Sequence, residues 1–149
     1  MTFFNGIMKN EVFNVALTSW FIAQALKVVL TLLTQKKFDL YRFVGSGGMP
    51  SSHSSIVMGL STSVGLKTGW DSVSYAISLV FALIVMYDAA GVRRAVGKQA
   101  IILNRMLEDM HNHRDKHIQE KRLKELVGHT PVEVFAGAIL GIVIANLMI

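Results

Sequence analysis

The sequence predicts an all-helical integral membrane protein with about four transmembrane spans and a helical extension on one side of the membrane. The first observation behind this prediction is composition, since the 149-residue chain is 52% hydrophobic and has positive mean hydropathy. The second is that its 15 Lys and Arg residues cluster between long apolar runs. Such clustering is typical of membrane proteins, whereas a soluble domain spreads its charges along its helices. The length is enough for one domain.

Four apolar runs mark the predicted spans, because a helix needs about 20 mainly apolar residues to cross a bilayer. The runs lie within the single domain 1–149, roughly at 12–33, 50–68, 73–92 and 132–149. The first run contains Gln24 and Lys27, and the second is short and rich in Ser and Gly. The opening residues lack the basic segment and cleavage site of a signal peptide, so we expect the first run to be a retained span.

Basic residues are distributed unequally between the two sides that these spans define. One side carries three Lys and Arg residues after the first span and nine in the segment 93–128, against Lys9 and Lys67 on the other. Such an excess marks the cytoplasmic side. We therefore predict a multi-pass protein of the cell membrane whose cytoplasmic segment, 93–128, is helical and continues the third span or lies along the membrane surface. Both termini are then predicted to lie outside.

Composition also argues against several classes of function. The absence of cysteine excludes disulfides, zinc–thiolate sites and thiol nucleophiles. The net charge of +5 lies beside apolar spans, where anionic lipid headgroups explain it, so we predict no nucleic-acid partner. Three histidines in a strongly charged stretch are predicted to lie on a solvated helical face, and we predict no metal site and no cofactor. They are His111, His113 and His117.

The first candidate functional motif is the junction at 47–54, where a polar loop meets the second span. Gly48, Ser51 and Ser52 precede His53 there. Glycines and hydroxyl groups at a helix N-terminus favour a phosphate group, and a histidine in the first turn can transfer a proton. The alternative interpretation is an ordinary helix cap by Ser51 or Ser52, with His53 incidental.

The second candidate motif places His129 four residues before Glu133, at the start of the fourth span. That spacing puts both side chains on one helical face. A carboxylate so placed can fix the tautomer of the imidazole and stabilise its protonated form. The alternative is an acid favoured by the helix dipole beside a histidine that merely lies at the interface.

Charged residues near the span ends supply candidate contacts for an anion. Asp88 lies at the edge of the third span and needs a cationic partner. The guanidinium groups that follow it suit phosphate, although they could equally be stop-transfer charges. We expect Lys27 to point inward beside Gln24, to bind an anion or to pair with Asp88, instead of extending to the interface. The basic residues after Asp88 are Arg93, Arg94 and Lys98.

Three strings in the chain resemble the divergent branch of the type-2 phosphatidic acid phosphatase superfamily, which is related to the vanadium haloperoxidases. The strings are GGMPSSHS at 47–54, DAAGVRRAVGKQ at 88–99 and GHTPVEVFAG at 128–137. The resemblance covers nearly the whole chain. It implies that Pro50-Ser51-Ser52-His53 contacts phosphate and supplies a general acid, His53. It also implies that His129 is a nucleophile that forms a phosphohistidine, with Glu133 as its carboxylate.

The chain differs from the parent superfamily in ways that bear on the site. Ser52 replaces the glycine of the parent motif, and Leu123 stands where an arginine is expected before His129. Arg93 and Arg94 could supply the missing charge. The parent fold usually has six helices, so four spans suggest a second subunit. A homo-oligomer could form through the fourth span, where Gly137 and Gly141 would allow close packing within or between chains.

The predicted function is metal-independent hydrolysis of a lipid phosphate or diphosphate at the cytoplasmic face. His129 would attack, His53 would protonate the leaving oxygen, and Glu133 would orient the nucleophile. One alternative is a non-enzymatic binder of lipid headgroups or anions, such as a transporter subunit. Another is a small structural protein that oligomerises through the fourth span. The predicted phosphate-binding set is Lys27, Gly48, Ser51, Ser52, Arg93 and Arg94, supported by Asp88 and Lys98.

Overall fold

The protein is all-helical throughout the residues that its computed structural model describes, which are 3–35, 48–112, 123 and 128–149. No strand occurs within those ranges, so the predicted fold class is confirmed. The described helices are α1 (Phe3–Met8), α2 (Glu11–Gln35), α3 (Ser52–Thr68), α4 (Val73–Ala90), α5 (Val92–Asn112) and α6 (Pro131–Met148).

Three stretches of the described chain are long and apolar enough to cross a membrane. They are Glu11–Leu33, Val73–Glu108 and Pro131–Met148, which contain the first, third and fourth predicted spans. The second stretch passes through Gly91, where α4 ends and α5 begins. With 18 residues, α4 is about 27 Å long, close to the roughly 30 Å of the hydrocarbon core.

The predicted span 50–68 has a different character. Its helix, α3, has 17 residues and is not among the stretches that are long and apolar enough to cross a membrane. However, α3 packs against α2, α4 and α6, and no residue from 51 to 65 is exposed. A helix shielded from lipid on all sides does not need to be apolar. The four-span prediction is therefore approximate: three apolar helices surround one polar helix.

Small residues set the close approach of α6 to α3. A Cβ atom added at Gly137 would overlap the main-chain oxygen of Ser51, and one at Gly141 would overlap that of Ser55. The two glycines therefore allow packing within the chain. A contact between chains through α6 would have to use its outward face, which includes the exposed Phe135.

Helix α5 follows α4 directly after Gly91, and α4 is the described helix that it contacts. It makes the first part of the predicted helical segment 93–128 a helix. Asn104 is buried, its Nδ2 donates to the carbonyl of Leu123 at 2.9 Å, and its Oδ1 accepts from the N–H of Leu123 at 3.0 Å. Leu123 is not helical, so the predicted helical segment 93–128 is interrupted there. The other residues of 113–127, with His113 and His117, lie outside the described residues.

Candidate functional site

Two main-chain hydrogen bonds bring both histidine motifs to one end of the bundle, which we call the site end. The N–H of Ser51 donates to the carbonyl of Glu133 at 3.0 Å, which joins the start of α3 to the start of α6. The N–H of His129 donates to the carbonyl of Ala89 at 2.9 Å, which joins the start of α6 to the end of α4. The site end therefore gathers residues that are far apart in the sequence.

Helix caps fix the local conformation of both motifs. Ser51 caps α3, and its side chain accepts from the N–H and the hydroxyl of Ser54. Thr130 caps α6 in a capping box with Glu133. These hydrogen bonds satisfy donors at the start of each helix. The first turn of each helix is therefore held without help from the histidines. The cap interpretation of Ser51 is thus correct, and it leaves His53 free for another role.

Glu133 orients the ring of His129. Its Oε2 lies 3.1 Å from Nδ1 of His129 and also accepts from the N–H of Thr130 at 2.9 Å. The carboxylate favours the tautomer with hydrogen on Nδ1, so the lone pair lies on Nε2. That Nε2 is buried and has no hydrogen-bond partner within the described part of the chain. An oriented imidazole with an unpaired nitrogen is the arrangement of a nucleophile.

Burial and charge act on His129 in opposite directions. Burial is the largest influence and lowers the pKa of His129, because the charged form loses its hydration. The hydrogen bond and the negative charge of Glu133 raise this pKa in part, while the positive charges of Lys27 and Arg93 lower it. The balance lies below the ordinary value, which favours the neutral form of His129.

His53 faces His129 across the site. The two ring centroids are 5.7 Å apart and the ring planes are inclined by 64°. Nε2 of His53 lies 3.4 Å from Nη1 of Arg93. Its Nδ1 is buried and, among the residues described, finds no hydrogen-bond partner. Two histidines therefore each present a buried, unpaired ring nitrogen at the same end of the bundle.

Two cations complete the site. Lys27 is 1% exposed and its Nζ donates to Oε1 of Gln24 at 2.7 Å, so its side chain points inward, as the spacing of the two residues predicts. Arg93 donates from Nε to Oδ2 of Asp88 at 2.6 Å. Asp88 thus has a cationic partner, as its position at a span end requires, and that partner is Arg93.

The remaining predicted site residues differ in burial and in their contacts. Gly48 has a φ of 90° and comes just before the motif, in the left-handed region that favours glycine. Ser52, which precedes His53 in the sequence, is buried. Arg94 and Lys98 are exposed on α5. Within the described residues, no hydrogen bond or ion pair joins either of these two cations to His53 or His129.

Sequence reasoning missed the contact of Gly128 that positions His129. Gly128 has a φ of 94°, and a Cβ atom there would overlap the main chain of Arg93 and Arg94. Only glycine fits both the conformation and this approach. The signal available in the sequence is a glycine immediately before the histidine, but its partner, the start of α5, is visible only in the fold.

The site offers groups for anion chemistry. Two imidazoles can act as nucleophile and acid, and two cations can neutralise a phosphoryl group. Among the described residues, no group of three or more His, Cys, Asp and Glu side chains could hold a metal ion.

Comparison with known proteins finds relatives of the chain. A family model described as the Divergent PAP2 family matches residues 8–144. The chain is 40% identical over 138 residues to the "Uncharacterized membrane protein YuiD" of Bacillus subtilis (strain 168), and the match covers 87% of each chain. No solved structure matches the chain.

Proposed function

The chain belongs to the Divergent PAP2 family, and from that membership and its site we propose that it hydrolyses a phosphate monoester or diphosphate on a membrane lipid. The observation that carries the proposal is the pair His129–Glu133, which leaves Nε2 of His129 buried and without a partner among the described residues, on a ring whose centroid lies 5.7 Å from that of His53. The capping box accounts for the position of Glu133, whose carboxylate also accepts from the N–H of Thr130, but it does not account for the buried Nε2 of His129. Buried polar atoms without partners are rare and point to function.

The first chemical step is attack of Nε2 of His129 on phosphorus. The bond from phosphorus to the lipid oxygen breaks, His53 gives its proton to that oxygen, and the phosphoryl group stays on His129. Glu133 stabilises the positive charge that develops on the ring. In the second step water attacks the phosphohistidine, His53 takes a proton from that water, and phosphate leaves.

Lys27 and Arg93 are the proposed direct ligands of the phosphoryl oxygens. Both are close enough for their charges to act on His129. The start of α3 adds the N–H groups of its first turn, which follow Gly48 and Ser51 and include that of Ser52. Fixed donors of this kind stabilise the charge of the transition state without reorganising.

The contact between Arg93 and His53 couples the protonation of His53 to phosphate binding by Arg93. In the neutral form, Nε2 of His53 can accept from Nη1 of Arg93, 3.4 Å away. A protonated His53 has no lone pair, so it cannot accept this bond. The acid-competent form of His53 therefore releases Nη1 of Arg93 for the phosphoryl group. Asp88 keeps the guanidinium nearby through Nε.

We propose that the site end faces the cytoplasm in the cell membrane. The exposed Arg94 and Lys98 lie on α5 at this end, and the sequence adds most of the remaining basic residues to the same side. Cytoplasmic loops carry such an excess. Through their charge, Arg94 and Lys98 would draw anionic lipids toward the site without contacting the reacting phosphate. A second subunit, if one forms through α6, would bind its outward face.

The experiment that tests the function is phosphate release by purified protein from a panel of lipid phosphates and diphosphates, with a metal chelator present. We expect chelator-resistant release that His129→Ala abolishes. The matched control is His111→Ala, which removes a histidine from the charged stretch. Release that persists in folded His129→Ala would overturn the mechanism, and no release from any lipid would overturn the function.

The alternative function is binding of a lipid headgroup or anion without chemistry, as in a transporter subunit. One observation favours it: Leu123 takes the position at which the parent superfamily has an arginine before its nucleophile, so a cation that would assist the chemical step is missing there. This alternative predicts phosphate binding that survives His129→Ala but is lost without Arg93 and Arg94.

A further inference from the structure

Helix α5 has three distinct faces. Its buried residues, Gly97, Ala100 and Asn104, lie on one side of the helix, and Asn104 ties that side to Leu123. At 100° per residue, a second sector of about 120° is apolar except for the exposed Gln99, and a third, of about 40°, is cationic. The apolar sector contains Val92, Val96, Ile102, Leu103 and Met106, each 47–56% exposed. The cationic sector contains Arg94, Lys98 and Arg105, all exposed.

The position of α5 relative to the membrane follows from α4. Helix α4 is long enough to cross the hydrocarbon core once, and α5 begins just after its end, at Val92. A helix with three exposed cations on one side is a poor continuation into lipid. Its exposed apolar sector is equally unsuited to water, because a soluble surface rarely exposes so many large apolar side chains together. The interface between headgroups and acyl chains satisfies both sectors.

The position of the charges adds a second argument. The first turn of α5 holds no acidic residue but contains Arg93 and Arg94, although cations at a helix N-terminus are unfavourable in the field of the helix dipole. Arg93 is offset by Asp88. Arg94 is exposed and has no acidic partner within the described residues. The acids of α5, Glu108 and Asp109, come near its end. An anion from outside the chain would therefore stabilise the start of this helix.

We propose that α5 lies in the membrane interface and binds the headgroups of anionic phospholipids. The apolar sector enters the boundary with the acyl chains, and Arg94, Lys98 and Arg105 contact phosphates at headgroup level. This surface is separate from the histidine site, because Arg94 lies about 100° around the helix from Arg93. It does not depend on the proposed function, since a non-enzymatic protein would present the same surface.

The first test is the depth of α5 in a bilayer. The chain has no cysteine, so single spin labels can be attached to Val96→Cys and Leu103→Cys, with Glu108→Cys as the control on a polar side of the same helix. In nanodiscs of phosphatidylcholine and phosphatidylglycerol, we expect the first two labels to be accessible to oxygen and shielded from a water-soluble nickel complex. The label at 108 should show the opposite. Access of the nickel complex to all three labels would overturn the proposal. Shielding of the labels at 96 and 103 from both oxygen and nickel would also overturn it, because a protein partner would cause that result.

The second test is lipid selectivity, measured with spin-labelled phosphatidylglycerol and phosphatidylcholine in the same nanodiscs. We expect the wild-type protein to prefer the anionic lipid by about two- to fivefold at low salt, because each basic residue near the surface attracts anionic lipid. The preference should fall as salt rises. The variant Arg94→Gln/Lys98→Gln/Arg105→Gln should lose most of it, whereas Lys9→Gln/Lys67→Gln should keep most of it.

The charge variant could fail to fold, so the salt titration of the wild-type protein serves as an independent readout. A preference that is absent in the wild-type protein, or insensitive to salt, overturns the proposal. The proposal is also overturned if the folded triple variant keeps the full preference for the anionic lipid.

Discussion

Both ends of the bundle pair a glutamate with a basic side chain, but they differ in how deeply that pair is buried. At the far end, Lys67 forms an ion pair with Glu11, and the two side chains are 41% and 64% exposed. At the site end, Glu133 bonds to His129, whose side chain is 1% exposed. Exposed pairs contribute little to stability, about 0–1 kcal/mol. The comparison teaches that burial and unpaired atoms, more than residue type, distinguish a candidate active site from a surface contact.

The far end also shows how polar and aromatic groups satisfy ordinary structural needs. The ring of Trp70 lies edge-on to Tyr75, with centroids 5.0 Å apart, and Ser72 caps α4. Trp and Tyr are common where a helix meets the membrane–water interface. At the site end, by contrast, two ring nitrogens are buried and have no partner among the described residues.

Loss of either histidine should give the largest effect, and the leaving group should separate their roles. We expect His129→Ala to lower kcat/KM by at least about a thousandfold for both a lipid phosphate and an aryl phosphate. His53→Ala should cost about a hundredfold or more with the lipid phosphate, whose alkoxide needs a proton. With the aryl phosphate the loss should be much smaller. Equal losses for both substrates in His53→Ala would contradict its role as the acid.

Arg93 and Arg94 are adjacent in the chain, which makes them a matched pair for the next largest effect. We expect Arg93→Gln to reduce kcat by roughly a hundredfold, since it removes a proposed donor to the transition state. Arg94→Gln should act mainly on KM, by a few fold, because its side chain lies on the exposed side of α5. Steady-state kinetics on one lipid phosphate compare the two, and the reverse order of effects would mean that Arg94 is the phosphate ligand.

The glycines of the helix contacts allow a prediction of stability. Gly137→Ala should destabilise the fold by about 1–3 kcal/mol, because the added methyl group overlaps the main chain of Ser51. Gly6→Ala is the control, since a Cβ atom there has nothing within 4 Å. Thermal unfolding in detergent measures both variants. A Gly137→Ala protein as stable as the wild type would show that α3 and α6 are not so close.

The pH dependence of kcat/KM should give the smallest and most specific effect. The free enzyme needs neutral His129, and burial lowers the pKa of that residue. Activity should therefore persist below the ordinary histidine value of about 6.5 and fall only as pH drops through the lowered pKa. Because Glu133 raises the pKa of His129, Glu133→Gln should move this acid limb to still lower pH while reducing the rate. A shift to higher pH would contradict the assigned contact.

The sequence alone predicts much of the fold because lipid imposes a simple pattern. The apolar runs locate α2, α4 and α6, and the topology places His53 and His129 on one side. The short run at 50–68 also locates α3, but hydropathy does not indicate that neighbouring helices surround it. Consecutive residues on a helix point about 100° apart, so the sequence does not indicate that Arg93 faces the site and Arg94 does not. Nor does it reveal that Ala89 and Gly128 position His129, since both contacts depend on tertiary packing.

The central claim is that His129 carries the phosphoryl group during turnover. The most direct measurement is rapid quenching of the protein with a radiolabelled lipid phosphate, at alkaline pH, which preserves phosphohistidine, followed by mass spectrometry of the peptides. The account predicts one phosphoryl group on His129, none on His53, and no label in His129→Ala. Turnover by wild-type protein without label on His129, or with label on another residue, would contradict it.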